Sequence, residues 1–238
     1  MAQTTRPQGK DLADFVQPPH PGPAVMTGRF ARLERLDADA HAADLYAANQ
    51  GGDQVWDYLP YGPFAQVEDY REWQAAMASK SDPFFYAIRD LASDKVLGIA
   101  SFLRIDPANG VIEIGHIQLS PPLQRTVAAS EALMLMIRWA FEAGYRRVEW
   151  KCNAMNAASR RAALRLGFSF EGVFRQHLIV KGRNRDSAWF SIIDGEWPAL
   201  QRAHDAWLSP GNFDSEGRQA ESLSDLTARA LPGRRDPG

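Results

Sequence analysis

Three short stretches of this chain hold side chains whose types and spacing could do chemistry. The first is Gln124-Arg125-Thr126-Val127-Ala128-Ala129-Ser130. Small and hydroxylated residues open an apolar helical pattern there, and no acidic residue intervenes before Glu131. A helix start of this kind presents bare backbone N–H groups and the positive end of a dipole, which suits a phosphate group. The second is Asn156 with Ser159, three apart at another helix start. Asn156 fits the N-cap, and Ser159 lies one turn on with a hydroxyl free to meet a ligand. The third is a set of candidate proton acceptors: Glu113, His116 and His177. Strand alternation puts Glu113 and Gly115 on one face and His116 on the other, so only one of Glu113 and His116 can face a cleft unless a bulge intervenes.

The elements that must position these residues can be read from periodicity. Phe30–Leu36 alternates and reads as a strand; Asp37 then caps a helix running to about Asn49, and Gly51-Gly52 stops it. The segment 55–64 is aromatic and stiffened by Pro60 and Pro63. It reads as a loop packed on the core and also as a cleft wall, with Trp56, Tyr58 and Tyr61 as candidate substrate contacts. A helix over 67–80 follows. Then come strands at 84–89, 96–103 and 111–119, joined by short turns into an antiparallel meander. Helical spacing from Ala129 to Ala140 predicts a helix closed by Gly144, and 146–152 predicts a strand beyond it, a crossover unit. A short helix over 156–166 ends at Gly167. Extended pieces at 168–173 and 175–180, a hairpin tip at 181–186, a strand at 187–193 and a helix over 196–208 complete the pattern.

Composition narrows the class. The chain has 238 residues, 45% hydrophobic and 24% charged, with net charge −2. That is enough for one sizeable core, and no global field points to nucleic acid or membrane. No apolar run approaches the ~20 residues of a membrane span or resembles a signal peptide, so a cytoplasmic location is expected. The single cysteine, Cys152, excludes an internal disulfide and reads as core packing rather than a nucleophile. The five histidines are scattered, and no metal site is expected. Locally the balance differs: residues 138–185 hold eleven Lys and Arg against three Glu, which favours an anionic ligand.

Element order and motifs together resemble the GNAT N-acetyltransferase superfamily, and within it the ribosomal-protein N-acetyltransferase (RimJ/RimL) type. The stretches that carry the resemblance are Glu113-Ile114-Gly115, Gln124 to Ala132, Asn156-Ala157-Ala158-Ser159, Leu166-Gly167-Phe168 and Phe170-Glu171-Gly172. It implies a mixed α/β acyl-CoA N-acyltransferase fold: a central, twisted, mostly antiparallel sheet with splayed central strands, flanked by helices. It implies acetyl-CoA as co-substrate and direct acetyl transfer to a primary amine, either a protein N-terminal α-amine or a free amino acid or small amine. Gln124 and Ala129 match the family's pyrophosphate loop, through Arg125, Thr126, Ala128 and Ser130, but Val127 stands where glycine is usual. Pantetheine is expected along the backbone of Ile117, Gln118 and Leu119. Asn156 and Ser159 match the polar pair near the thioester, with Ser159 suited to the departing thiolate. Glu113, His116 and His177 stay open as the base, because Leu178 stands where some such enzymes carry glutamate.

The expected organisation is a flexible arm over 1–24, the catalytic domain over 25–208 and a flexible tail over 209–238, with one possible short helix near 223–231. Homodimerisation is left open. Two rival readings remain: an acyl-CoA-binding regulator that has lost catalysis, suggested by Val127 and Leu178, and an RNA or ribosome contact through the basic region.

Overall fold

The structure is a computed structural model that describes Arg6 and residues 8–233. Among these residues one eight-stranded sheet carries the fold, in the order β1-β2-β3-β4-β5-β6-β8-β7. The strands are β1 (Val25–Thr27), β2 (Ala31–Arg35), β3 (Phe84–Asp90), β4 (Lys95–Asp106), β5 (Val111–Leu119), β6 (Arg147–Asn153), β7 (Ser169–Val180) and β8 (Arg183–Ile193). Neighbours pair antiparallel except β5 and β6, which run parallel across the crossover helix. That parallel pairing covers only Val111–Glu113 against Arg147–Glu149, and beyond it the two strands part.

Helices cover both faces. α1 (Ala38–Ala48) and α2 (Val67–Ala78) pack on one side, where Leu45, Trp56, Tyr70, Phe85 and Ile99 form one core cluster. α3 (Val127–Glu142), α4 (Ala157–Leu166), α5 (Trp197–Leu208) and α6 (Leu223–Ala230) share the other side, around Met136, Ile137, Val148, Trp150, Phe190 and Leu200. The helix boundaries follow local chemistry. Asp37 accepts from the N–H groups of Asp39 and Ala40, Thr126 from Ala129 and Asn156 from Ser159. Gly167 ends α4 at φ 106, and a Cβ there would come 2.5 Å from Leu200.

Several expectations need correction. β7 is one continuous strand where two pieces were expected, and β8 starts at Arg183 rather than Ser187, because the two pair up to the Lys181-Gly182 turn. The tail from 209 was expected to be flexible; through residue 233 it packs on the core instead. Leu223 and Thr227 are fully buried, the Trp207 indole donates to Gln219 Oε1, and the Asn212 amide donates to the carbonyls of Trp207 and Glu221. Exposed polar positions hid the few apolar anchors that fix it. The arm is docked from Pro18 onward: Tyr145 and Tyr86 donate to the carbonyls of Pro19 and Pro23, and Pro18 and Pro21 are buried. Residues 1–5, 7 and 234–238 lie outside the described residues.

Glu131 on α3 ties the first hairpin to the body. Its buried carboxylate accepts from the backbone N–H groups of Arg29, Phe30 and Ala31. Gly28 makes room for it, since a Cβ there would lie 2.4 Å from Glu131. Glu131→Ala should therefore cost about 3 kcal/mol by stranding three donors, two of them only partly buried. Chemical denaturation should show a lowered midpoint with an unchanged slope.

Candidate active site

A continuous cleft of about 1850 Å³ follows the gap between β5 and β6 and reaches both faces of the sheet. A single small-molecule pocket is roughly 300–1,000 Å³, so this cleft has room for a long ligand and a second molecule. Its lining divides by strand parity. On β6, Val148, Trp150 and Cys152 turn into the core on the α3 side. Glu149 and Lys151 turn the other way, toward Glu113 of β5.

On the α3 side lies the helix start. Thr126 satisfies the N–H of Ala129, while the first-turn groups of Val127 and Ala128 have no acceptor within the helix. Gln124 and Arg125 are exposed; the Gln124 amide donates to the Leu119 carbonyl, and Arg125 turns the loop at φ 64. Val127 is half-buried, packs on the core and also lines the cleft. Ala128 is buried and contributes backbone alone. The Ser130 hydroxyl is buried and receives both terminal nitrogens of Arg165 at 2.9 Å.

Deeper in the gap, the Asn156 side chain is occupied as a cap. Ser159 Oγ accepts from the Trp150 indole at 3.0 Å, so its own proton can be donated into the cleft. Ile117 and Leu119 line the cleft, on the part of β5 that β6 has left. Gln118 does not line it. Its buried side chain turns toward α1 and donates to Asn49 Oδ1.

On the opposite face, three bulges bring together what simple alternation would separate. One lies on β5, where Ile99 pairs with Gln118 but Ser101 with Gly115, and His116 takes φ 49. Glu113 and His116 therefore both line the cleft, through the bulge that strand alternation would require for it. A second bulge sets Arg104 at φ 49, and a third, with Gln176 at φ 51, presents His177. Glu113 is buried with its Oε2 2.5 Å from Lys151 Nζ and 3.6 Å from Arg104 Nε. Burial pushes its carboxyl above the usual range, partly offset by Lys151. His116 stacks on Tyr61 and tilts against Phe85. Burial and the nearby Arg185 hold it neutral, down to about 4. His177 Nδ1 meets Ser187 Oγ at 2.9 Å, leaving Nε2 for the cleft. Its pKa too is lowered, by burial and by Lys151, Arg185 and Arg104.

The aromatic segment is divided between the two roles expected of it. Tyr58 lines the cleft and reaches the Met155 carbonyl. Trp56 is buried among Tyr61, Phe64 and Tyr70, and Tyr61 stacks on Trp73, so both are core rather than wall. Tyr61 reaches the cleft only through His116, on whose ring it stacks. Lys181 of the β7–β8 turn donates to the Trp56 carbonyl at 2.8 Å, which joins the two segments at the cleft mouth. Sequence reasoning missed Trp150, Arg104 and the pairing of Lys151 with Glu113. The parallel register that sets Glu113 opposite Glu149 is tertiary, so no local signal could have revealed that pair.

The family described as Acetyltransferase (GNAT) domain matches residues 31–169. The chain belongs to the GNAT acetyltransferase family.

It is an N-acetyltransferase, and its fold agrees with solved relatives. A GCN5-related N-acetyltransferase from Brucella melitensis is 46% identical, with TM-score 0.88 over 91% of this chain and 99% of that one. A probable GNAT-family acetyltransferase from Chromobacterium violaceum is 42% identical, with TM-score 0.76 over 83% and 100% of the two chains. The ribosomal-protein-serine acetyltransferase of Escherichia coli K12 is 38% identical over 105 residues, 43% of this chain and 58% of its own length. Among the described residues no helix is long and apolar enough to cross a membrane.

The buried histidines have a consequence for stability. His116 takes up its proton only near pH 4 when folded but near 6.5 when unfolded. The unfolded chain thus binds more protons between these values, so stability is complete above about 6.5 and falls as pH drops toward 4. His116→Asn, which tolerates the positive φ, should flatten this dependence. It should not abolish it, because buried His204 is also lowered to about 4. Urea unfolding at pH 4.5 and 7 would measure the difference; identical pH slopes in variant and wild type would refute the assignment.

Proposed function

We propose that this enzyme uses acetyl-CoA and transfers the acetyl group directly to a primary amine. The observation that carries this reading is the parting of β5 from β6 between a bare helix N-terminus on one face and a carboxylate–imidazole group on the other. The donor would supply an acyl group activated as a thioester. On this reading the Val127 and Ala128 N–H groups and Arg125 hold its diphosphate, and the free edge at Ile117 and Leu119 pairs with its amide-bearing arm. Ala128 matters through its backbone, and Ser130, which lines the cleft, through the hydroxyl that holds Arg165. Ser159 Oγ, oriented by the Trp150 indole, donates its proton to the departing sulfur.

On the far face, an amine must arrive neutral to attack. Glu113 and the neutral imidazoles of His116 and His177 are the acceptors that its proton could reach, directly or through water. The cations Lys151, Arg104 and Arg185 lower the pKa of an ammonium brought among them, which raises the neutral fraction. Tyr58 and the β7–β8 turn border the entry and limit water.

Two variants test this reading. Ser159→Ala should lower kcat about 100-fold or more, within the roughly 10²–10⁴-fold range of a lost proton donor, with little change in the KM for acetyl-CoA; an unchanged kcat sinks its role. Val127→Gly should bind CoA as tightly or more so by calorimetry, and a large loss would mean that the loop does not cradle a diphosphate. Release of CoA across a panel of N-terminal peptides, amino acids and small amines tests the transfer itself. Tight acetyl-CoA binding with no release for any amine would overturn it.

A further inference from the structure

Arg185 is a cation on the acceptor face with a buried nitrogen that the fold leaves without an acceptor. It sits on β8, of one parity with Ser187 and Trp189, and lines the cleft beside Glu113, His116 and His177. Its Nε is buried and has no hydrogen-bond acceptor, and among the described residues its guanidinium forms no ion pair. Burial works against its charge; the thiol of Cys152 and the carboxylate of Glu113 support it only at longer range. Arg185 is half-buried; leaving its inner nitrogen without an acceptor is costly, and the guanidinium fork matches a carboxylate bidentately.

The surroundings do not supply that anion. Glu113 is held by Lys151 at 2.5 Å and approached by Arg104 at 3.6 Å. Glu149 lies 3.5 Å from Lys151 but gives its other oxygen to Arg147 at 2.8 Å. Arg104 and Lys151 also lie over the Trp189 ring, at 5.7 and 3.9 Å. This end of the cleft therefore carries more positive than negative charge, and both cleft histidines are held neutral partly by that field. Such a field repels a plain ammonium. An amine that also carries a carboxylate is attracted as a whole, while its nitrogen is pushed toward the neutral, nucleophilic form.

We propose that the acceptor is an amine with a carboxylate within a few bonds of its nitrogen, and that Arg185, assisted by Arg104, receives that carboxylate. This rests on the acetyl-transfer reading for the role of the amine but not for the anion subsite itself. The carboxylate could be the main-chain group of an amino acid or the acidic side chain of a second residue in a peptide.

The test is calorimetric and needs no turnover. Protein loaded with CoA is titrated with amino acids against their carboxamides, and with Ser-Asp amide against Ser-Asn amide. The acid member of one pair should bind at least tenfold more tightly, about 1.4 kcal/mol, and the responding pair identifies the source of the carboxylate. Arg185→Gln should erase that preference and leave the CoA Kd unchanged; Arg185→Lys should keep part of it. If Arg185→Gln also loses CoA, Arg185→Lys decides by the same comparison. Equal binding of acid and amide in both pairs, including no binding, overturns the proposal, as does a preference that survives Arg185→Gln. Acid-selective binding without acetyl transfer would uphold the subsite and sink the transfer reading. Transfer that ignores the carboxylate would do the reverse.

Discussion

The structure depends on where β5 stops pairing with β6. β6 is held along its whole length by β8, from Arg147 opposite Ile193 to Asn153 opposite Ser187. β5 is held by β4, with a bulge that turns it at His116. Two strands fixed to different neighbours in a twisted sheet diverge, and here only three residues of each stay paired. Beyond Glu113 the facing edges carry backbone donors and acceptors that need partners. A ligand with amide groups could supply them, which is why the proposed donor is laid along this break.

The break gives the two faces different chemistry. The α3 side presents a helix start, Ser159 fixed by an indole and Arg165 fixed on Ser130. The other side presents Glu113, two neutral imidazoles and three cations. Neither face alone holds all the groups that acyl transfer needs. The gap opens one cleft to both sets of groups; in the proposed reaction the proton acceptor and the proton donor would approach from opposite sides. The three bulges, at Arg104, His116 and ahead of His177, each aim a titratable group at that gap.

Support for the site comes from elements distant in sequence. Lys181 ties the β7–β8 turn to the segment around Trp56, and Thr227 of α6 donates to the Arg165 carbonyl while Arg165 lies over Trp207. The C-terminal segment therefore braces α4, whose other end carries Ser159. Phe213, Gln219 and Ser224 line the same cleft, so this segment also extends its wall.

Much was legible from the sequence alone. The meander, the crossover and the capped starts of α1 and α4 follow from local rules: hydrophobic period, cap chemistry and turn residues act within a few positions of the residue they specify. The family was legible as a resemblance of motifs and element order. What those rules cannot express is which face a strand residue takes once a bulge shifts the count, as at His116. They also cannot tell an aromatic wall from an aromatic core, as with Trp56 against Tyr58, because both contain the same side chains. Nor could they show that the tail from 209 would pack, since Leu223 and Leu226 are apolar positions in an otherwise polar stretch. The acidic and basic groups around Glu113 were each visible in the chain. That Lys151 answers Glu113 while Arg185 is left without an anion was decided only when parallel register and strand parity set them on one face.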